Sequence, residues 1–220
     1  MSEERERMVS SSSNVNGDGS RRHERSIMRL IIASNNPHKL IEIREILGNH
    51  FEEIISAKEA GIEHETVEDG TTFMENALKK AREMTQISGC AALADDSGIC
   101  VDALNGAPGI YSARFCGVHG NDAENNRLLL QKMEGVKDRK AHYTCAIALT
   151  FPDGREVTAE EYFHGEIAQE EKGEYGFGYD PLFYLPEYGC TSAEIPPEEK
   201  NRISHRAKAL HALCEKLEVK

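Results

Sequence analysis

Short apolar runs alternate with segments of helical periodicity along most of this chain. Residues 29–33 (RLIIA) predict a buried strand, and after a polar loop the apolar side chains of residues 40–47 recur at helical spacing. Pro37 suits the first turn of that helix. Because each strand and helix must bury one face, this alternation predicts helices packed on a sheet, as in an α/β protein.

The middle of the chain adds two helices and an acidic turn. Thr72 and Glu75 form the pattern of a capping box at the start of a helix that Gly89 ends. The apolar run AALA predicts a buried strand, and the DDSG segment after it (residues 95–98) predicts a turn. Residues 122–133 predict a further helix.

The second half of the chain adds a hairpin and a closing helix. Residues 142–151 and 155–164 flank a Pro-Asp-Gly turn and predict two antiparallel strands. Residues 182–184 predict a short strand, and Ser204 suits the cap of a final helix. The complete order predicts an α/β fold with a mixed, twisted sheet, flanking helices, and two lobes around a central cleft.

Charge and composition argue against two classes of partner. The chain has a net charge of −12 and no basic stripe, so we expect no binding to a nucleic acid polymer. No apolar run approaches the roughly 20 residues that cross a bilayer. The first 28 residues also lack the apolar segment of a signal peptide. We therefore expect a cytoplasmic protein without membrane contact.

The N-terminal residues differ in composition from the rest. Residues 1–27 are rich in Ser, Gly and charged side chains, which predicts a disordered tail ahead of a folded domain at residues 28–220. The six cysteines are widely spaced and include no CxxC pair. That spacing favours free thiols over a zinc site or a disulfide framework.

A glycine loop late in the chain carries the strongest chemical signal. Gly176 and Gly178 free the backbone of GFGYD for close approach to a ligand. Phe177 and Tyr179 offer flat faces, and Asp180 offers a directional acceptor. Positive charge follows in Lys200, His205 and Arg206. A flat face, an acceptor and a cationic cluster are together what a nucleoside polyphosphate requires.

Other polar segments stand where α/β proteins bind ligands, although each also suits a structural role. SNNPHK (residues 34–39) joins a strand to a helix N-terminus, where backbone N–H groups attract anions and Lys39 adds charge. Asp95 and Asp96 follow a buried strand, and Glu68 precedes a helix, so these acids are candidate Mg²⁺ ligands. The structural alternatives are a connecting loop, a turn, and an acid that complements a helix dipole.

Taken together, five segments resemble the inosine triphosphate pyrophosphatase family, which acts on ITP, dITP and XTP. They are ASNNPHKLIEI, EDGTTFMENALKKA, LADDSGICVDALNGAPGIYSARF, GEYGFGYDPLFY and TSAEIPPEEKNRISHRAKAL, and the resemblance runs from Leu30 to about Leu217. It implies an elongated fold with a central nucleotide-binding cleft, dependence on Mg²⁺, and a homodimer. It also implies hydrolysis between the α and β phosphates to the nucleoside monophosphate and pyrophosphate.

The resemblance also implies a role for each candidate residue. Glu68 and Asp96 would hold Mg²⁺, Asp96 would act as general base on the attacking water, and Ser97 would contact the substrate. The triphosphate would lie against the loop of Ser34, Asn35, Asn36, Pro37, His38 and Lys39. The base would be stacked and read by Phe177, Gly178, Tyr179 and Asp180. The pocket would be completed by Lys200, His205 and Arg206.

Some alternatives stay open on the sequence alone. Either Asp95 or Asp96 suits the general base. Mn²⁺ accepts the same oxygen ligands as Mg²⁺. The way in which GTP is rejected does not follow from the sequence. A Maf-type pyrophosphatase and a nucleotide sensor that does not hydrolyse are the competing functions. The FGYD and SHR motifs argue against the first, and the set of three acids argues against the second.

Overall fold

One sheet with helices on both faces forms the framework of the molecule. The computed structural model describes residues 28–218, so the predicted tail at residues 1–27 lies outside the described residues. Within this range the strands are β1 Arg29–Ile32, β2 Glu53–Ser56, β3 Ala91–Val101, β4 Lys140–Thr150, β5 Glu156–Ile167, β6 Phe183–Leu185 and β7 Cys190–Thr191. The α-helices are α1 Pro37–Leu47, α2 Phe73–Ser88, α3 Asp122–Lys132, α4 Pro197–Ile203 and α5 His205–Glu218.

The sheet is mixed and runs in the order β2-β1-β3-β4-β5-β6-β7. β1 is parallel to both β2 and β3, whereas each pair from β3 onward is antiparallel. β1 ends at Ile32, opposite Leu93, while β3 continues to Val101 beside β4. The loop after β1 therefore begins beside the middle of β3, which brings the N-terminus of α1 to that point.

Local sequence signals placed most of these elements correctly. The capping box of Thr72 and Glu75 starts α2, and Gly89 ends it in a left-handed conformation, φ 65°. The predicted hairpin is β4 and β5. Ser204 caps α5, since its Oγ accepts a hydrogen bond from the backbone N of Ala207 at 3.1 Å. All six cysteines are free thiols.

One prediction of local structure was wrong. The DDSG segment is not a turn but the centre of β3, because residues 92–101 pair without interruption with β4. The segment after β3 contains 3-10 helices at Asp102–Leu104 and Gly109–Arg114. Cross-strand hydrogen bonds over the length of β3 outweigh the local turn preference of Asp and Gly.

Separate apolar clusters give the molecule its two lobes. One joins β1, α1 and α5 through buried side chains such as Leu30, Ile43 and Leu213. The other joins α3, β6 and the distal halves of β3 and β4. In β3, Leu93 belongs to the first cluster and Ile99 to the second. The polar residues 95–97 therefore lie between two hydrophobic cores.

α2 covers the opposite face of the sheet through small side chains. Ala77 and Ala81 of α2 contact Ala94, Ala146 and Ala148 of β3 and β4, and all five are fully buried. Small residues at such a contact let the helix approach the sheet closely. Among residues 28–218, no helix combines the length and the apolar composition needed to cross a bilayer.

Candidate active site

A cleft of about 710 Å³ lies between the two lobes. Its walls come from the loop after β1, the centre of β3, α2, and the segments around residues 177–180 and 200–206. Of the residues expected to form the site, Asn35 does not line this cleft and is exposed. The lining includes the others: Ser34, Asn36, Pro37, His38, Lys39, Glu68, Asp96, Ser97, Phe177, Gly178, Tyr179, Asp180, Lys200, His205 and Arg206.

Asp95 is the centre of a buried ion-pair network on the α1 and α5 face of the sheet. Lys39 Nζ lies 2.8 Å from Asp95 Oδ2 and 2.9 Å from Oδ1, and Arg206 Nε lies 3.2 Å from Oδ2. Arg206 Nη1 also donates to Glu42 Oε2 at 2.7 Å. Burial favours the neutral acid, but the positive charges of Lys39 and Arg206 outweigh it and lower the pKa of Asp95.

Asp96 faces α2 and has a different environment. Asn76 Nδ2 donates to Asp96 Oδ2 at 3.1 Å, and Lys80 Nζ lies 3.1 Å from Oδ1. The same ammonium lies 2.8 Å from Glu68 Oε1. Burial raises the pKa of Asp96, Lys80 opposes this, and the negative charge of Glu68 raises it further. Adjacent carboxylates in one strand therefore have pKa values displaced in opposite directions.

The carboxylates of Glu68 and Asp96 converge on one point, because both lie within hydrogen-bond distance of Lys80 Nζ. Within the described residues, no three side chains among His, Cys, Asp and Glu form a group able to hold a metal ion. Two converging carboxylates are nevertheless the donor set that Mg²⁺ uses when substrate phosphates and waters complete its octahedron. The residues present fit a Mg²⁺ ion that is bound together with a phosphate ligand.

The loop after β1 presents Lys39 to the cleft. Asn36 caps α1, because its Oδ1 accepts hydrogen bonds from the backbone N of His38 at 2.9 Å and of Lys39 at 3.4 Å. Ser34 Oγ in turn accepts from the backbone N of Asn36 at 3.2 Å. Since Asn36 already satisfies these N–H groups, the Lys39 side chain supplies the main positive charge of this loop.

The glycine loop of the second lobe is held by Asp180. Its Oδ2 accepts a hydrogen bond from the backbone N of Phe177 at 2.8 Å and pairs with Lys200 Nζ. Gly176 has φ 78°, and a Cβ there would collide with the Asp180 carboxylate. The Phe177 ring remains 36% exposed and stacks on the His38 ring, with 5.3 Å between ring centroids. The buried Asp180 therefore positions the loop.

His205 lies at the floor of the cleft and stacks on Tyr143. The ring centroids are 4.7 Å apart and the planes differ by 6°. Burial lowers the pKa of His205 well below its usual range, and the charges of Arg206 and Lys200 add to this. Its buried Nδ1 has no hydrogen-bond partner within residues 28–218. A neutral imidazole with a free polar atom can accept or donate one hydrogen bond to a ligand.

Sequence reasoning missed four residues that organise this cleft: Glu42, Asn76, Lys80 and Tyr143. A signal for three of them was present. Asn76 and Lys80 are four residues apart and so share one face of α2. Glu42 stands three residues after Lys39 on α1, again on a shared face. Tyr143 gave no such signal, since its partners become neighbours only in the folded chain.

Comparisons with known proteins identify relatives of this chain. The sequence model of the Ham1 family matches residues 30–216. A dITP/XTP pyrophosphatase of Clostridium perfringens is 49% identical over 197 residues, which is 86% of this chain and 97% of that protein. One from Desulforamulus reducens is 50% identical over 190 residues, covering 86% of this chain and 94% of that protein.

Solved structures of similar proteins have the same fold as this chain. The Ham1 protein of Staphylococcus aureus superposes with a TM-score of 0.80 at 39% identity, over 86% of this chain and 98% of that one. A nucleoside-triphosphatase, also named dITP/XTP pyrophosphatase, from Mycobacterium abscessus superposes with a TM-score of 0.72 at 44% identity, over 84% and 98%.

Proposed function

The chain belongs to the Ham1 family, and we propose that it hydrolyses ITP, dITP and XTP to the nucleoside monophosphate and pyrophosphate. The observation that carries this proposal is the cleft between the lobes. There a pair of converging acids, Glu68 and Asp96, faces cations from both lobes, Lys39 and Lys200. Positioning and charge neutralisation are the main requirements for cleaving a phosphoanhydride.

Asp96 is the general base of this mechanism, and the contacts of Asp95 support the choice. Both oxygens of Asp95 are engaged by Lys39, and one also by Arg206, with the side chain only 1% exposed. Asp96 is more accessible, at 13% of its side chain, and stands beside Glu68. A base must reach a water near the α-phosphorus. Asp96 meets that requirement, whereas Asp95 holds two cations in place.

Glu68 and Asp96 would together hold Mg²⁺, which offsets phosphate charge when it is bound. Lys80 Nζ lies between these acids, 2.8 Å from Glu68 Oε1 and 3.1 Å from Asp96 Oδ1, and its positive charge offsets the repulsion between them in the free protein. Asn76 fixes the rotamer of Asp96 through its Oδ2. Mn²⁺ accepts the same ligands as Mg²⁺, and titration of the protein with each metal ion tests which one it uses.

Substrate recognition divides between the lobes. Lys39 and Lys200 contact phosphate oxygens, the Phe177 ring stacks on the purine, and His205 with Arg206 donates to the 6-keto oxygen. A donor aimed at a keto group leaves adenine's amino group mismatched, which disfavours ATP. Ser97, whose Oγ accepts from Arg206 Nη2 at 3.3 Å, holds that guanidinium and contacts the substrate.

The experiment that tests this function is pyrophosphate release from ITP, XTP, dITP, ATP and GTP, with and without Mg²⁺. We expect metal-dependent release from the first three and poor release from ATP and GTP. Equal release from all five would remove the proposed base specificity but keep the chemistry. Binding of ITP without release would point to the sensor, and activity on modified pyrimidines alone would point to a Maf-type enzyme.

Two further expectations belong to this proposal. We expect a homodimer in the cytoplasm, and light scattering on the purified protein measures the oligomeric state directly. A monomer at micromolar concentration would contradict the first expectation. Fractionation of the source cells tests the second.

A further inference from the structure

His38 and Phe177 make an aromatic contact across the cleft. Their ring centroids are 5.3 Å apart, and their planes differ by 19°. His38 belongs to the first turn of α1, which packs in the cluster of β1 and α5, and Phe177 belongs to the glycine loop of the other lobe. Both residues line the cleft, so this contact lies within the space that a nucleotide would enter.

The Phe177 side of the contact is fixed. The backbone N of Phe177 donates to Asp180 Oδ2 at 2.8 Å, and the next residue, Gly178, is held at both of its polar groups. The Gly178 backbone N donates to Asp122 Oδ2 at 2.8 Å, and its carbonyl accepts from Asn126 Nδ2 at 3.1 Å. These bonds hold the backbone that carries the ring, and Lys200 Nζ contacts the ring itself, 5.2 Å from its centroid.

The His38 side of the contact is free to move. Its backbone N–H is bound to Asn36, but its imidazole makes no hydrogen bond to any residue within the described part of the chain. The residue is exposed at the start of a helix, where the side chain can change rotamer without disturbing a packed neighbour. Of the two rings, the His38 imidazole is therefore the one that can move out of the stack.

A purine does not fit between the two rings as they stand. Aromatic carbons in contact are about 3.5 Å apart, so a base inserted between two rings needs about 7 Å between their planes. The observed 5.3 Å between centroids is too short for that. Stacking of a base on the covered face of Phe177 requires the imidazole to swing away.

We propose that His38 is a latch on the base-stacking face of Phe177, and that a purine nucleotide must displace its imidazole in order to bind. This inference rests on the proposed function, because it takes Phe177 as the platform for the base. It gives His38 a role opposed to phosphate binding, since removal of the imidazole strengthens binding of the nucleotide.

The first test asks whether the stack exists in the nucleotide-free protein. The chain has no Trp, so Phe177→Trp introduces a single indole reporter at the platform. We expect the indole to become more accessible to acrylamide when His38→Ala is added, with a clear rise in the quenching constant. His211→Ala in the same background removes an exposed histidine of α5 outside the cleft and serves as the control. An unchanged quenching constant would overturn the latch.

The second test separates a base latch from a phosphate ligand. Titration calorimetry of wild type and His38→Ala compares inosine monophosphate with inorganic tripolyphosphate, which has no base. We expect the variant to bind inosine monophosphate about two- to tenfold more tightly, the range of one aromatic pair, and tripolyphosphate equally well. Weaker binding of both ligands would assign the imidazole to phosphate and overturn the proposal. Weaker binding of inosine monophosphate alone would overturn it too, since the imidazole would then support the base.

Failure of the latch can be told apart from failure of the proposed function. Acrylamide quenching reports on the nucleotide-free protein and does not depend on substrate identity. If no purine nucleotide bound to wild type or variant while the quenching constant still rose, the proposed function would be wrong and the role of the stack as a purine latch would fall with it. If ITP were hydrolysed and quenching did not change, only the latch would be lost.

Discussion

Asp95 and Asp96 are neighbours in β3, yet their carboxylates lie on opposite faces of the sheet. Asp95 pairs with Lys39 and Arg206 beneath α1 and α5, and Asp96 contacts Asn76 and Lys80 of α2. Side chains alternate along a strand, so adjacent residues are given different environments. The pair supplies one acid for structure and one for the proposed chemistry, which makes the two asparagine variants a matched comparison.

Asp96→Asn should therefore reduce turnover, whereas Asp95→Asn should reduce stability. We expect Asp96→Asn to lose turnover by about 10²- to 10⁴-fold, the usual contribution of a general base, with little change in melting temperature. Asp95→Asn leaves a buried guanidinium and ammonium short of a partner, and should cost on the order of 3–5 kcal/mol of unfolding free energy. Turnover assays and urea unfolding of both variants make the test. Retention of more than a tenth of the wild-type rate in Asp96→Asn would remove it as the base.

Lys39→Ala should weaken the use of triphosphates. Its ammonium is the main positive charge of the loop after β1, and loss of one charged contact to phosphate lowers kcat/KM about ten- to hundredfold. Lys137→Ala, at an exposed lysine away from the cleft, is the control for loss of charge alone. Steady-state kinetics with ITP measures the effect. An unchanged kcat/KM in Lys39→Ala would move the phosphate site elsewhere.

Glu68→Gln should change the response to Mg²⁺. The substitution keeps the shape of the side chain but removes one of the two converging carboxylates. The Mg²⁺ concentration that gives half-maximal activity should therefore rise at least about tenfold. Glu65→Gln, at an exposed acid three residues earlier, should leave the Mg²⁺ titration unchanged. Equal titrations for wild type and Glu68→Gln would show that Glu68 is not a ligand.

His205 should make the protein less stable in mild acid. Its pKa is lowered below the ordinary 6.5 by burial and by Arg206 and Lys200, so the unfolded chain binds the proton more readily. The stability contributed by the neutral ring is complete above about pH 6.5 and falls below it by about 1.4 kcal/mol per pH unit.

His205→Phe keeps a ring against Tyr143 and cannot be protonated. Unfolding free energies of wild type and variant, measured at about pH 7.5 and about pH 5.5, should differ in their pH dependence, with the smaller loss in the variant. Equal losses in the two proteins would show that His205 does not titrate below its ordinary range. Acid-labile carboxylates contribute to both proteins alike and cancel in this comparison.

Most elements of the fold followed from short-range patterns, and the exception at DDSG has a clear cause. Thr72, Glu75 and Gly89 fixed α2 because caps act within a few residues. Asp95 and Asp96 were expected in a turn on local preference, whereas pairing with β4, some 50 residues later in the chain, holds them in a strand. The site was anticipated as a set of motifs, but Lys80, Asn76 and Tyr143 were not part of that set.

The sequence by itself determined most of the element types, the family, and the segments that line the cleft, because these depend on periodicity, caps and motif identity within short stretches. Only the tertiary structure decided which side chains act on one another. Asp95 meets Lys39 across 56 positions and Arg206 across 111, and these contacts lower its pKa while that of Asp96 is raised. Charge interactions and burial depend on distance in space, which no local pattern of residues encodes.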